Sequence, residues 1–118
     1  MRSGQRLEAI WRSVLVPLLA LVAWLPPAYA SLPVFHLTGK NGRFSPMTLT
    51  LPAGQKVKLI VHNLGPAPEE FESMDLNQEQ VVVPGSSITL YIGPLQPGRY
   101  AFYNDFKSRT VRGHIIVK

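Results

Sequence analysis

Turn-forming clusters recur so closely from residue 31 onward that no long helix fits between them. They are Gly39-Lys40-Asn41-Gly42, Pro52-Ala53-Gly54, residues 63–68, Pro84-Gly85, Pro94 and Pro97-Gly98. Proline removes a backbone donor and glycine loosens the chain, so each cluster ends whatever precedes it. The runs between them are short. Residues 32–38, 47–51, 56–62, 70–76, 80–83, 87–92, 99–103 and 110–117 are apolar or alternating. In 56–62, Val57, Leu59 and Val61 share one side, while Lys56, Lys58 and His62 take the other. Val111, Ile115 and Val117 repeat the pattern against Arg112, His114 and Lys118. Alternation with one apolar side marks a half-buried strand. About eight such strands, with turn signals every 8–12 residues or so, predict an all-β sandwich.

The first thirty residues follow a different logic. Arg2, Arg6 and Arg12 stand against the single acid Glu8, an uncharged apolar run fills 13–25, and Ala28-Tyr29-Ala30 comes after Pro26-Pro27. A basic start, a short apolar core and an A-x-A site read as a cleavable signal peptide over 1–30. The apolar run is shorter than the roughly 20 residues that span a bilayer. The expectation is therefore a domain at 31–118 that does not cross a membrane and is exported, in a two-membrane bacterium to the periplasm.

The formal charge of +5 does not point to nucleic acid, because the basic residues after residue 30 are scattered rather than clustered. No nucleic-acid partner is expected. With 46% hydrophobic and 16% charged residues the chain has enough apolar content to build a core. It has no cysteine, which excludes disulfides, thiol catalysis and any thiolate-held metal. No serine–histidine spacing or nucleophile-elbow glycine pattern suggests hydrolysis. Gly39 to Gly42 lacks the spacing and the following helix of a phosphate loop.

The second half carries a resemblance. Pro84-Gly85-x-x-Ile88, then Gly93-Pro94-Leu95-x-Pro97-Gly98-Arg99-Tyr100-x-Phe102, then Gly113-x-Ile115-x-Val117 resemble the C-terminal half of a cupredoxin. The Leu51-Pro52-Ala53-Gly54 turn, with its alternating strand ending at Asn63, is similar to the earlier half. More narrowly, Asn63 to Ser73 with its Glu-Phe-Glu core, Val81 to Gly85, and Asp105-Phe106 resemble the small cupredoxin-like domains that accompany bacterial iron permeases and periplasmic iron-uptake lipoproteins. The resemblance implies a Greek-key β-sandwich with a metal at one end.

It also implies that the blue-copper ligands are gone. Such a centre needs a cysteine thiolate, two imidazoles and usually a thioether. By register with the family, the cysteine position falls near Asn104, one histidine at Lys107, the methionine at Val111 or Arg112, and the other histidine at Glu69 or Glu70. Where related iron-uptake modules can carry a metal-binding cysteine, Phe44 or Ser45 stands. What remains is carboxylate. In an extended segment Glu70, Glu72 and Met74 project to one side, Glu69 sits at the loop edge, and Asp105 would approach from the loop after Tyr103 if the family register holds. His62, at the end of its strand, is a further candidate. These six residues form the expected metal set. Carboxylates with a thioether or imidazole nearby would suit Fe(II), Fe(III), Mn(II) or Cu(II) better than Cu(I) alone. The competing reading makes Glu69, Glu70, Glu72 and Asp75 a solvated acidic edge that discourages strand pairing.

Two functions follow. One is an exported metal-binding accessory of iron or copper-linked iron uptake, serving an iron permease or other membrane transport component. It would bind iron or copper; its one catalytic role would be assistance to ferrous iron oxidation. The other is a metal-free β-sandwich that docks onto a membrane or periplasmic partner.

Overall fold

The computed structural model describes residues 31–118, and the signal-peptide expectation for 1–30 lies outside them. Nine strands follow in order: β1 (Val34–Lys40), β2 (Arg43–Ser45), β3 (Thr48–Leu51), β4 (Val57–Asn63), β5 (Glu69–Ser73), β6 (Gln78–Val82), β7 (Ser87–Ile92), β8 (Gly98–Asn104) and β9 (Ser108–Val117). They form two sheets, β2-β1-β4-β7 and β3-β9-β8-β5-β6. β1 pairs β4 in parallel, as β3 pairs β9; every other pairing is antiparallel. This is the all-β sandwich the alternation predicts. No described helix is long and apolar enough to cross a membrane.

The strand beyond the expected eight is β2. The turn cluster at 39–42 is narrower than its composition suggests. Gly39 and Lys40 stay in β1, and Asn41-Gly42 alone makes the hairpin loop, with φ of 53° and 79°. Positive φ at both central residues is the type I′ pattern of a two-residue hairpin loop, and Asn-Gly is the pair that adopts it most readily. Lys40 therefore faces Arg43 directly, and Phe44 is delivered into the core.

The core is the inner side of both sheets: Leu37, Leu59, Val61, Leu90 and Ile92 from one, Phe71, Val82, Phe102, Ile115 and Val117 from the other. Phe44, Phe71 and Phe102 meet at its centre, with ring centroids 5.6 to 6.1 Å apart. Gly113 lies opposite Phe102 across β8 and β9, where a Cβ would overlap the phenyl ring. The final Gly-x-Ile-x-Val is thus a packing motif, its glycine making room for the ring. Phe44 fills core volume rather than offering a ligand.

Candidate functional site

β5 carries the Glu-Phe-Glu segment, and the pleat divides it. Phe71 points inward and is fully buried, and Glu69 and Ser73 share its parity. Glu70 and Glu72 point to the outer side. β5 is not an edge strand: β8 lies on one side and β6 on the other. This corrects the reading of these acids as an edge that repels pairing, since the edge belongs to β6.

Register makes the cluster. Glu72 is directly opposite Glu79 on β6, and Tyr103 of β8 is directly opposite Glu72 on the other side. Glu70, Glu72 and Glu79 bring carboxylate oxygens within 4.8 Å of one another. Glu70 is only 6% exposed. Oε2 of Glu72 is buried and has no hydrogen-bond partner. Three acids held so closely resist ionising together. The Glu70 carboxyl is pushed up from 4.5 to about 7, first by a hydrogen bond with Glu79, then by burial, then by the charges of Glu79, Asp105 and Glu72. Tyr103 closes the far side. Burial raises its pKa most, with the neighbouring Glu72 charge adding to it. The guanidinium groups of Arg109 and Arg112 lie 5.9 and 5.8 Å from its ring centroid.

Glu79 is the residue that sequence reasoning missed. It sits in Gln78-Glu79-Gln80, a polar stretch with no feature of its own. The alternation of β5 could have shown that a cross-strand partner was needed. Only the turn at 74–77 decides which residue that is.

The other expected ligands lie elsewhere. Met74 begins the turn after β5, where Asn77 N–H donates to its carbonyl at 3.1 Å and its side chain is 76% exposed. The strand ends one residue too early for Met74 to share the side of Glu70 and Glu72. Asp105 pairs with Arg109 at 2.5 Å; it reaches Glu70 through the backbone, its N–H donating to the Glu70 carbonyl at 3.1 Å. His62 is on the opposite sheet, facing away from the acids. Asp75 is occupied with the backbone, accepting from Ala101 N–H at 2.8 Å where β5 no longer pairs β8.

Glu69 turns to the end of the sandwich, into a cavity of about 280 Å³. Asn104 and Lys107 line the same cavity, with Asn41, Gly42, Pro66 and Phe106. Three positions that the family register aligns with copper ligands are thus brought together, and the side chains of two of them, Glu69 and Asn104, are already engaged. Gly42 N–H donates to Glu69 Oε1 at 3.1 Å, and the Asn104 amide donates to Glu69 Oε2. The Asn104 Oδ1 accepts from Glu70 N–H at 2.9 Å and Phe106 N–H at 3.2 Å. An amide with both ends bonded, a carboxylate with both oxygens bonded and a lysine do not fit copper, which favours thiolate and imidazole donors here. The end of the sandwich is a hydrogen-bonded plug that ties β5 to the loop after β8.

Comparison with known proteins agrees with this architecture. The family model described as a cupredoxin-like domain matches residues 13–117. A protein of Rickettsia prowazekii (strain Madrid E), RP394, is 42% identical over 81 residues, covering 69% of this chain and 65% of that protein's length. This chain thus spans just under two thirds of that relative. Among solved structures, the metal-binding domain of the Cu(I)-exporting P-type ATPase CopA of Streptococcus pneumoniae D39 superposes with a TM-score of 0.65 at 15% identity, over 78% of this chain and 91% of that one. Auracyanin of Roseiflexus castenholzii gives 0.62 at 14% identity, over 75% and 99%. A purple cupredoxin of Nitrosopumilus maritimus gives 0.55 at 20%, over 71% and 99%. At these identities the likeness is one of fold.

Proposed function

Since the chain belongs to the cupredoxin-like domain family, and yet Glu69 and Asn104 at the end of its sandwich are spent on hydrogen bonds with each other and with backbone N–H groups, we propose that it handles metal through the carboxylates on the outer side of its larger sheet. Glu70, Glu72 and Glu79 would hold a hard, oxygen-preferring cation. The observation that carries this is the buried, unpartnered Oε2 of Glu72 beside two further carboxylates. A buried carboxylate oxygen without a donor costs free energy on the order of 1–3 kcal/mol or more. A cation would supply the missing partner and remove the repulsion among the three acids. All-oxygen donor sets suit Fe(III), Mn(II) and similar ions better than Cu(I). The trivalent ion gains most from three negative charges, because the attraction scales with the product of charges.

On this reading the protein is an exported accessory of iron uptake that passes ferric iron to a permease or another membrane transport component. It is a binding protein first. Preference for the ferric over the ferrous ion would also bias the couple towards oxidation. The resemblance of Glu70-Phe71-Glu72 and Asp105-Phe106 to the iron-permease-associated domains supports this assignment. Copper is the alternative cargo, as in the metal-binding domain of the Cu(I)-exporting ATPase that shares this fold. A metal-free docking module is the second reading. It draws on the plugged end of the sandwich, beside which Leu64 and Phe106 stand 66% and 54% exposed.

Calorimetric titration of the metal-stripped, untagged protein tests this, with Fe(III) supplied as a weak chelate and Mn(II) and Cu(II) in parallel. One equivalent of Fe(III) bound at micromolar affinity or tighter, and lost in the Glu70→Gln/Glu72→Gln variant, is the expected result. No Fe(III) binding by the folded protein would leave the docking module.

A further inference from the structure

The smaller sheet carries a second cluster of metal-binding side chains, far in character from the acids. His36 on β1 and His62 on β4 lie on the outer side of two adjacent parallel strands, His36 beside Ile60 and His62 beside Thr38. Their rings are stacked at 16°, with centroids 5.2 Å apart, and His36 Nδ1 is 2.9 Å from His62 Nε2. Ser87, directly opposite His62 on β7, puts its Oγ 2.7 Å from His62 Nδ1. The hydroxyl therefore occupies one nitrogen of His62 and leaves the other facing His36.

We propose that His36 and His62 form a two-imidazole site for a divalent cation of tetragonal preference, Cu(II) or Ni(II). The separation of the nitrogens carries the argument. At metal–nitrogen bonds of about 2.0 Å, a 2.9 Å separation subtends about 93° at the metal. That is the angle between adjacent ligands in a square-planar or tetragonal site, the geometry of Cu(II) and Ni(II) with nitrogen and oxygen donors. A tetrahedral ion would need the nitrogens to part to about 3.3 Å. Ser87 supplies the support such a ligand needs. In the tautomer of His62 that carries its proton on Nδ1, Ser87 Oγ accepts that proton's hydrogen bond, which orients the ring and leaves the Nε2 lone pair for the metal. The metal takes the place of the proton between the two rings, which passes through solvent to His36 Nε2 and leaves Nδ1 as the ligand. A turn of each imidazole by roughly 45° from the line joining the nitrogens lets their lone pairs converge, and water completes the coordination from the exposed side. Nothing in this site depends on the carboxylate reading, since the two clusters lie on different sheets and offer different donors.

The test is Cu(II) titration of the untagged Glu70→Gln/Glu72→Gln variant, followed by electron paramagnetic resonance. One equivalent with a tetragonal signal and hyperfine structure from two nitrogens is expected. Adding His36→Ala or His62→Ala should weaken binding at least tenfold. Ser87→Ala should cost roughly ten- to a hundredfold, as loss of an outer-shell partner does. His114→Ala, on the other sheet, should change nothing. His36 is exposed and His62 half-exposed, so matching thermal melts will show that the variants fold. Absence of Cu(II) binding in the folded carboxylate variant, or binding that survives both histidine substitutions, overturns the proposal. Either result leaves the Fe(III) titration of the unsubstituted protein to decide the carboxylate site by itself.

Discussion

Replacing Glu79 with Gln separates what the acidic cluster does for stability from what it does for function. Glu79 faces Glu72 directly across β5 and β6, and it is the largest cause of the raised Glu70 pKa. Like charges placed directly opposite on neighbouring strands cost roughly 0.2–1 kcal/mol. Glutamine keeps the size and removes the charge, so the metal-free variant should gain up to about 1 kcal/mol at pH 8. For a domain of this size that is a rise of about 4–8 °C in Tm.

The gain should vanish in acid, for a reason of sign. Glu70 has its folded pKa raised from 4.5 to about 7, so the folded state holds that proton more tightly than the unfolded chain. The stability that comes from protonated Glu70 is fully present below 4.5 and is lost as the pH climbs through about 7. Glu79→Gln weakens the cause of the shift and flattens the profile across that window. Thermal melts from pH 4 to 8 by circular dichroism, with chelator present, measure both curves. Saturating Fe(III) should reverse their order, because only the unsubstituted protein gains binding free energy from the cation. A metal-free variant no more stable than the parent at pH 8, or a difference that does not change with pH, would refute the reasoning.

Other expectations are simpler. Phe102→Ala, at the meeting point of three phenyl rings, should cost about 3–5 kcal/mol in urea unfolding. Gly113→Ala should also destabilise strongly, by about 1–3 kcal/mol or more, since its Cβ enters the Phe102 ring; pairing it with Phe102→Leu should recover part of the loss. Asn104→Ala removes the donor to Glu69 and the acceptor of two backbone N–H groups, and should cost about 1–3 kcal/mol per buried group left unpaired. Asp105→Ala should change stability by less than about 1 kcal/mol, because Arg109 in that pair is largely exposed and salt screens it.

Local chemistry carried the strand pattern and several of the turns. Alternation located β4, β7 and β9 to within a few residues, because a strand with one wet and one dry side must repeat every second position. It also put Glu70 and Glu72 on a shared side, which is a property of the pleat alone. Where local reading stopped short, a long-range partner was involved. Met74 continues the alternation on paper, but the chain turns at 74–77, where Asn77 takes a φ of 53°. Glu69 looks like one more acid at a loop edge. Its role depends on Gly42 and Asn104, which arrive from the β1–β2 hairpin and the end of β8.

Alternation and turn residues are enough to make this chain an all-β sandwich, the absence of cysteine is enough to deny it a blue-copper centre, and the family motifs name the type of sandwich. Those depend on residue type and short-range spacing, which any stretch of chain carries within itself. Which acids meet and which histidines pair depends on how the strands come together. Glu79 joins Glu70 and Glu72 through the register of β6, and His36 reaches His62, 26 residues further on, through the parallel pairing of β1 and β4. The turn at 74–77 sets the register of β6 on β5, and the packing of the sheets over a common core sets that of β1 on β4, so neither follows from the alternation of one strand alone.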